Sequence, residues 1–172
     1  MGYMELLDVY NINKERTGKQ VIRIKGEKLQ KGEYIIAVHG WVVNSDGKIL
    51  LTRRNLNKTH GGMWEPTSGL VVSGETSFQG IKRELHEEIG LNILDKDIIF
   101  AKEIIEENSD VSFIKDIYIV NKDIDISEIS FTDGEVIDAK FVSIEEFNTM
   151  LTNDECFKHL AYFTDVYYSY EF

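Results

Sequence analysis

The chain has one cysteine, Cys156, and one proline, Pro66, in 172 residues. A lone thiol excludes an internal disulfide and fits a reducing, cytoplasmic setting. With one proline there is no proline-rich linker, and neither a low-complexity run nor an internal repeat is present. No apolar stretch approaches the ~20 residues needed to cross a bilayer, so no membrane association is expected. The first residues, Met1-Gly2-Tyr3-Met4-Glu5, lack the basic flank and apolar run of a secretion signal, and a secreted product is not expected. Basic residues are also scarce: 19 Lys and Arg stand against 30 Asp and Glu, a net charge of −11. That field repels a nucleic-acid backbone and argues against a polymeric nucleic-acid partner. It leaves small anions open as substrates, because a bound metal and a few local cations invert the potential inside a site.

The rest is an ordinary globular composition, 42% hydrophobic and long enough for one domain with a sizeable core. Leu6 to Tyr10 and Lys19 to Ile24 read as short strands joined by a polar turn through Gly18. Tyr34 to Val43 is a longer β-branched and aromatic run. Asn44-Ser45-Asp46-Gly47 is a turn signal, and Lys48 to Thr52 continues as a strand, which predicts a hairpin over Tyr34 to Thr52. Arg53 to Gly62 reads as a loop, and Trp64 to Val72 leads into a helix. Ile98 to Ile105, Val111 to Val120 and Glu135 to Phe141 read as further strands. Ser143-Ile144-Glu145-Glu146 is a capping box that opens a helix. A second helix is expected after Asn153, packing Phe157, Leu160, Ala161, Thr164 and Tyr168 on the sheet. Strands interleaved with few helices predict a mixed α/β sandwich.

One helix concentrates the chemistry. Thr76 as N-cap with Gln79 three residues on forms a capping box, and Gly90 is a natural C-terminal stop, which bounds a helix over Ser77 to Ile89. Phe78, Ile81, Leu85 and Ile89 make its apolar stripe, and Gly80 allows close packing against the sheet. Glu84, Glu87 and Glu88 fall within about a 100° arc beside that stripe. Like charges at these spacings each cost about 0.2–0.5 kcal/mol, and the helix C-terminus disfavours anions further. E-x-x-E-E alone is more often a solvated acidic face. Here Arg83 offsets only part of the charge, and hard cations such as Mg²⁺ or Mn²⁺ favour carboxylate oxygens together with substrate phosphates.

The surrounding positions are specific. Gly69, Glu75, Arg83, Glu84, Leu85, Glu87, Glu88, Gly90 and Leu91 fill every defined place of the pattern G-x5-E-x7-R-E-U-x-E-E-x-G-U, where U is a bulky aliphatic residue. That is the Nudix box, and the chain resembles the Nudix hydrolase family. The lead-in Leu50 to Arg54 with Trp64, and the later Gly134-Glu135-Val136 and Phe141 to Phe147, extend the resemblance over most of residues 34 to 150.

The resemblance implies an α/β/α sandwich with a mixed sheet, here with an N-terminal β-hairpin extension. It implies one domain over residues 1–172, with an extension at 1–33, a core at 34–150 and a C-terminal helix at 151–172. It also implies Mg²⁺-dependent cleavage, with Mn²⁺ as an alternative, of a diphosphate bond in a nucleoside diphosphate linked to another group or in a similar organic diphosphate. Glu87 and Glu88 would be direct metal ligands, Glu84 a ligand or the general base, and Glu75 an additional or water-mediated ligand. The backbone carbonyl near Ser68 or Gly69 would complete the set, and Arg83 would orient Glu84. Glu135 is the candidate for a base in a later loop. Arg53 and Arg54 are candidates for phosphate contacts, and His60 for substrate contact from its loop.

The segment Leu6 to Gly18 with Gly32-Glu33-Tyr34 is similar to a branch that includes isopentenyl diphosphate isomerase. That enzyme carries a cysteine and a histidine between the tryptophan and the box glutamate, and Glu65 to Gly74 contains neither. The lead-in also lacks the family's common proline-glycine-glycine form, with Thr67 and Ser68 where small residues usually shape the metal loop. Isomerase activity and a non-catalytic nucleotide-sensing module stand as alternatives to hydrolysis. His39, His86 and His159 read as structural or solvated, Trp41 as core, and Trp64 as packing under the metal loop. Cys156 reads as a small buried residue of a C-terminal helix. Tyr167, Tyr168 and Tyr170 leave base stacking and a homodimer contact open.

Overall fold

The structure, a computed structural model, describes residues 4–23 and 28–172. Among the described residues, nine strands form one mixed sheet with helices on both faces. The N-terminal hairpin pairs β1 (Leu6–Tyr10) with β2 (Arg16–Ile22) antiparallel. The second strand starts three residues earlier than Lys19, and the predicted end, Ile24, lies outside the described residues.

The long strand β3 (Tyr34–Val43) organises the sheet. All ten of its residues are buried, since both of its faces are covered. The expected hairpin with β4 (Ile49–Arg54) forms only at its base, at the register pair Val43↔Ile49. Beyond that point the strands diverge. β3 pairs along its whole length, in parallel, with β8 (Ser112–Asn121), while its other edge takes β6 (Thr67–Leu70) antiparallel through residues 37–40. β4 instead joins β9 (Val136–Val142) and the short β5 (Trp64–Glu65). Arg53 and Arg54 thus sit in a strand rather than a loop. Strand β7 (Ile98–Glu106) closes one edge against β8. A local turn signal gives the direction reversal but not the partners, because pairing is decided by which strands bury the most apolar surface.

Period-2 alternation along β3 builds two cores. Ile36, Val38 and Val42 meet Ile81, Leu85 and Ile89 of α1 (Ser77–Ile89) in one apolar cluster. Trp41 and Val43 meet the other layer, with Phe147 and Met150 of α2 (Ile144–Thr152) and Phe163 and Val166 of α3 (Tyr162–Tyr168). Trp41 stacks on Phe163 at 3.7 Å between centroids. Gly40 lies where α1 approaches β3; a Cβ there would sit 2.6 Å from Ile81 Cδ1. Gly80 likewise brings α1 close to Val71, just past β6, at 3.1 Å for an added Cβ.

Helix α1 has the expected bounds. Thr76 Oγ1 accepts from Gln79 N–H and the Gln79 side chain accepts from Thr76 N–H, and Gly90 adopts φ 73°, the left-handed cap. At α2 only half the expected box forms: Ser143 Oγ accepts from Glu146 N–H, while the Glu146 carboxylate faces Lys140.

The C-terminal segment departs most. Lys158–Ala161 is a single 3-10 turn and α3 begins at Tyr162, so Cys156 lies outside any helix, bridged to Trp64. Tyr168, expected on the packed stripe, is 65% exposed, and Phe163 and Val166 are buried in its place. Tyr167 donates to the Gly47 carbonyl.

His39 is buried, with Nδ1 2.7 Å from the Tyr162 hydroxyl, which accepts from Trp41 Nε1. Burial, reinforced by Lys115 and His159, pushes its pKa down to about 3. The unfolded chain binds this proton below about 6.5 and the folded chain does not, so stability falls as pH drops from about 6.5 towards 3. The expected loss from this residue is roughly 1.4 kcal/mol per pH unit. Urea melts at pH 6.5 and 5 check it: the wild type is expected to lose about 2 kcal/mol more than His39→Gln over that interval.

Candidate functional site

Helix α1 presents Glu84 and Glu88 to a cleft whose polar end is formed by β6, β5, the end of β4 and the loop before β9. Lining it are Ser68 and Gly69, Glu84, Glu87, Glu88, Glu65, Arg54 and Lys58, with Asp133 and Glu135 opposite. Glu84 is 8% and Glu88 4% exposed, which is rare for carboxylates. Both belong to the buried side of α1, beside the apolar stripe, while Glu87 points outward.

Arg83 is the hub of the box. It clamps Glu75 with two hydrogen bonds, Nε to Oε1 at 2.8 Å and an Nη at 3.1 Å to Oε2. It donates to Glu84 Oε1 at 2.7 Å, to Glu87 Oε2 at 3.1 Å and to the Leu70 carbonyl at 2.9 Å. The planar fork ties helix, loop and strand together in a way a lysine would not. Glu75 also accepts from Val72 N–H and does not line the cleft. It braces Arg83 from beside the cleft.

The charge on the two buried carboxylates is only partly met. Burial pushes Glu84 up to about 7, against the pull of Arg83. Burial, with Glu65 and Glu84 nearby, pushes Glu88 well above the usual carboxylate range. Glu88 Oε1 accepts a long 3.4 Å bond from Ser68 N–H, and Oε2 is buried with no partner. A buried carboxylate oxygen without a partner is what a hard cation takes. The donor set therefore fits Mg²⁺ or Mn²⁺, with Glu84, Glu87 and Glu88 as the residues that would hold it. Among the described residues, no three such side chains are already drawn together at ligating distance. The Arg83 bonds hold Glu84 and Glu87 instead.

Gly69 is required by contact. A Cβ there would fall 2.0 Å from the Glu84 carboxylate, so any side chain drives Glu84 out of place. Gly69→Ala is expected to lower diphosphate hydrolysis at least 100-fold, the scale of misplacing a catalytic group by about 1 Å. Steady-state kinetics beside a melting curve check this, with the melting temperature moving by only a few degrees.

The structure sorts the remaining candidates. Arg54 lines the cleft and donates to Glu65 Oε1 at 2.7 Å. Arg53 turns away, donating to the Gly62 carbonyl and lying over the Trp64 ring. His60 is also outside, edge-on to Phe157 at 5.6 Å. Alternation explains the first pair, since neighbours on a strand face opposite sides of the sheet. Trp64 packs in the cluster under α2 and α3, not beneath the acidic loop. Glu135 reaches the cleft and is ion-paired with Lys58. None of Tyr167, Tyr168 and Tyr170 lines the cleft.

Sequence reasoning missed Glu65, Asp133, Lys58 and His39 as lining residues. Glu65 had a signal, an acid directly after Trp64 in the lead-in. The others are gathered only by tertiary pairing: Asn55 N–H bonds the Glu135 carbonyl, which brings the Lys58 turn beside the Asp133–Glu135 turn.

The NUDIX domain family model matches residues 33–161, three quarters of the chain. An uncharacterised Nudix hydrolase of Listeria monocytogenes is 33% identical over 154 residues, 88% of either chain. A MutT protein structure from Methanosarcina mazei superposes with TM-score 0.61 and 28% identity over 79% of this chain and 91% of that one. A Deinococcus radiodurans protein superposes with TM-score 0.72 over 88% of this chain and 91% of that one, at 20% identity, a likeness of fold. The filled box, the sheet with helices on both faces and these similarities converge: the chain belongs to the Nudix family and is a pyrophosphohydrolase of that family.

Proposed function

We propose that the protein is a Mg²⁺-dependent hydrolase of an organic diphosphate, acting at the cleft end walled by Glu84, Glu87 and Glu88. The observation that carries this reading is the partnerless, buried Glu88 Oε2 beside a second buried carboxylate, Glu84. When bound there, a divalent cation supplies charge neutralisation for the diphosphate and acidifies water.

The chain's own residues do the rest. Glu84, buried at the cleft and held by Arg83, is placed to take a proton from the attacking water. Arg83 holds its Oε1 and fixes the direction of the carboxylate. Glu135 lines the same cleft, but its pairing with Lys58 favours Glu84 as the base. Arg54 and Lys58 supply positive charge for the phosphate oxygens. The water oxygen bonds to one phosphorus, the bridging P–O bond breaks, and two phosphorylated products leave.

The isomerase alternative finds no support in Cys156. Its thiol is 1% exposed, outside the cleft, and burial pushes it up to about 12.

The test is a hydrolysis screen over nucleoside diphosphate derivatives and other organic diphosphates, with products identified by mass spectrometry. Turnover with Mg²⁺ and none in EDTA is expected. Rates equal to the metal-only control for every compound would remove the hydrolase reading.

A further inference from the structure

The cleft does not end at its carboxylates. It encloses about 430 Å³, and the half away from α1 is hydrocarbon: Leu7 and Val21 from the N-terminal hairpin, Ile35 and Ala37 from β3, Leu70 and Phe113. Leu7, Val21 and Ile35 belong to a third apolar cluster, separate from the two beneath the helices, with Leu70 and Phe113 only partly covered at its edge. The hairpin joins β3 through the single register pair Tyr10↔Tyr34, so it adds little to the central sheet. What it adds is this wall.

The polarity of the compartment is one-sided. Among the described residues, the buried side-chain polar atoms without a partner are Thr67 Oγ1 and Glu88 Oε2, one on β6 and the other on α1. The six side chains that form the hydrocarbon half carry no donor or acceptor at all. At its rim Glu5 and Arg23 are already paired with each other at 2.9 Å. A nucleobase or sugar seated here would leave donors and acceptors unpaired, each costing about 10- to 100-fold in binding. Each methylene buried here would instead gain about fourfold. The carboxylates at the other end of the same cleft fix where the diphosphate lies, so the group attached to it extends into the hydrocarbon half.

We propose that this compartment is the subsite for an uncharged, apolar hydrocarbon group, and that the substrate is a diphosphate monoester of such a group rather than of a nucleoside or sugar. The proposal rests on the hydrolase reading above. In the reaction, water oxygen bonds to phosphorus and the bridging P–O bond breaks. The proton passes to Glu84, and an alkyl monophosphate and orthophosphate leave.

The experiment uses methyl, propyl, pentyl and octyl diphosphates beside ADP and UDP, with kcat/KM for each. In parallel, calorimetry of the Mg²⁺-loaded protein with the matching alkyl phosphonates, which have no P–O–P bond to cleave, reads binding without turnover. A rise of about fourfold per methylene in both series is expected until the compartment is filled. All the longer alkyl esters should then exceed the nucleotides. Phe113→Ser should flatten the slope of both series against chain length, a ratio that general loss of fold does not change. Turnover of nucleotides with no chain-length slope overturns the proposal and leaves the hydrolase reading standing. A binding slope without turnover of any compound keeps the subsite and overturns the hydrolase reading. No slope and no turnover removes both.

Discussion

Glu84→Gln is expected to lower kcat/KM for diphosphate hydrolysis by about 10²–10⁴-fold, the range for loss of a positioned general base. The substitution keeps the shape of the side chain, and the amide oxygen still accepts from Arg83. It removes a charge that burial opposes: the carboxyl is pushed up to about 7 in a place only 8% exposed. The folded protein should therefore lose no stability, and its melting temperature should stay level or rise. Steady-state rates with a calorimetric melt check both halves. A variant that keeps more than about a tenth of the wild-type kcat/KM would exclude Glu84 from proton transfer. A variant that loses activity together with the fold would make its role structural.

Arg83→Ala is expected to have the largest effect on stability. One guanidinium satisfies the carboxylates of Glu75, Glu84 and Glu87 and the Leu70 carbonyl, and among the described residues no other cationic side chain bonds these carboxylates. Removing it strands buried carboxylates. Breaking a buried pair costs about 3–5 kcal/mol, and this one belongs at the lower end because the Arg83 side chain keeps 23% exposure. Chemical denaturation of wild type and variant measures the difference. Arg83→Lys should recover less than half of it, since an ammonium lacks the fork that binds Glu75 at two points. A loss below about 1 kcal/mol would mean that solvent carries these carboxylates instead. Activity should fall in both variants, because Glu84 loses the contact that orients it.

The elements of this site that depend on local chemistry were legible in the sequence. The capping box at Thr76 and the glycine stop at Gly90 set the ends of α1 correctly, and helical periodicity placed Glu84 and Glu88 beside its apolar stripe. What periodicity does not give is which of three acids is buried. That depends on β6 passing so close that Gly69 touches Glu84. The arginine pair shows the same limit. Arg53 and Arg54 are equivalent in a loop, but in a strand one faces the cleft and the other faces Trp64. His60 was placed near substrate by its loop position alone, and a turn with φ 57° carries it towards Phe157. The Tyr34 to Thr52 hairpin failed for a non-local reason: β3 gains more by pairing its full length with β8 than with its sequence neighbour. Of the C-terminal stripe, Phe157 and Leu160 pack in the core as expected, but the helix begins only at Tyr162, several residues later than the apolar spacing suggests, and Phe163 is buried while Tyr168 is exposed.

The central claim is that the buried acids of α1 hold the cation on which diphosphate cleavage depends. It is tested most directly by titrating Mn²⁺ into wild type and Glu88→Gln, with free Mn²⁺ read by electron paramagnetic resonance and turnover measured on the same samples. The account predicts that wild type binds Mn²⁺ with activity tracking occupancy. It predicts that Glu88→Gln, folded by its melting curve, binds at least about tenfold more weakly and loses turnover in proportion. Equal Mn²⁺ affinity and equal turnover in the two proteins would contradict it.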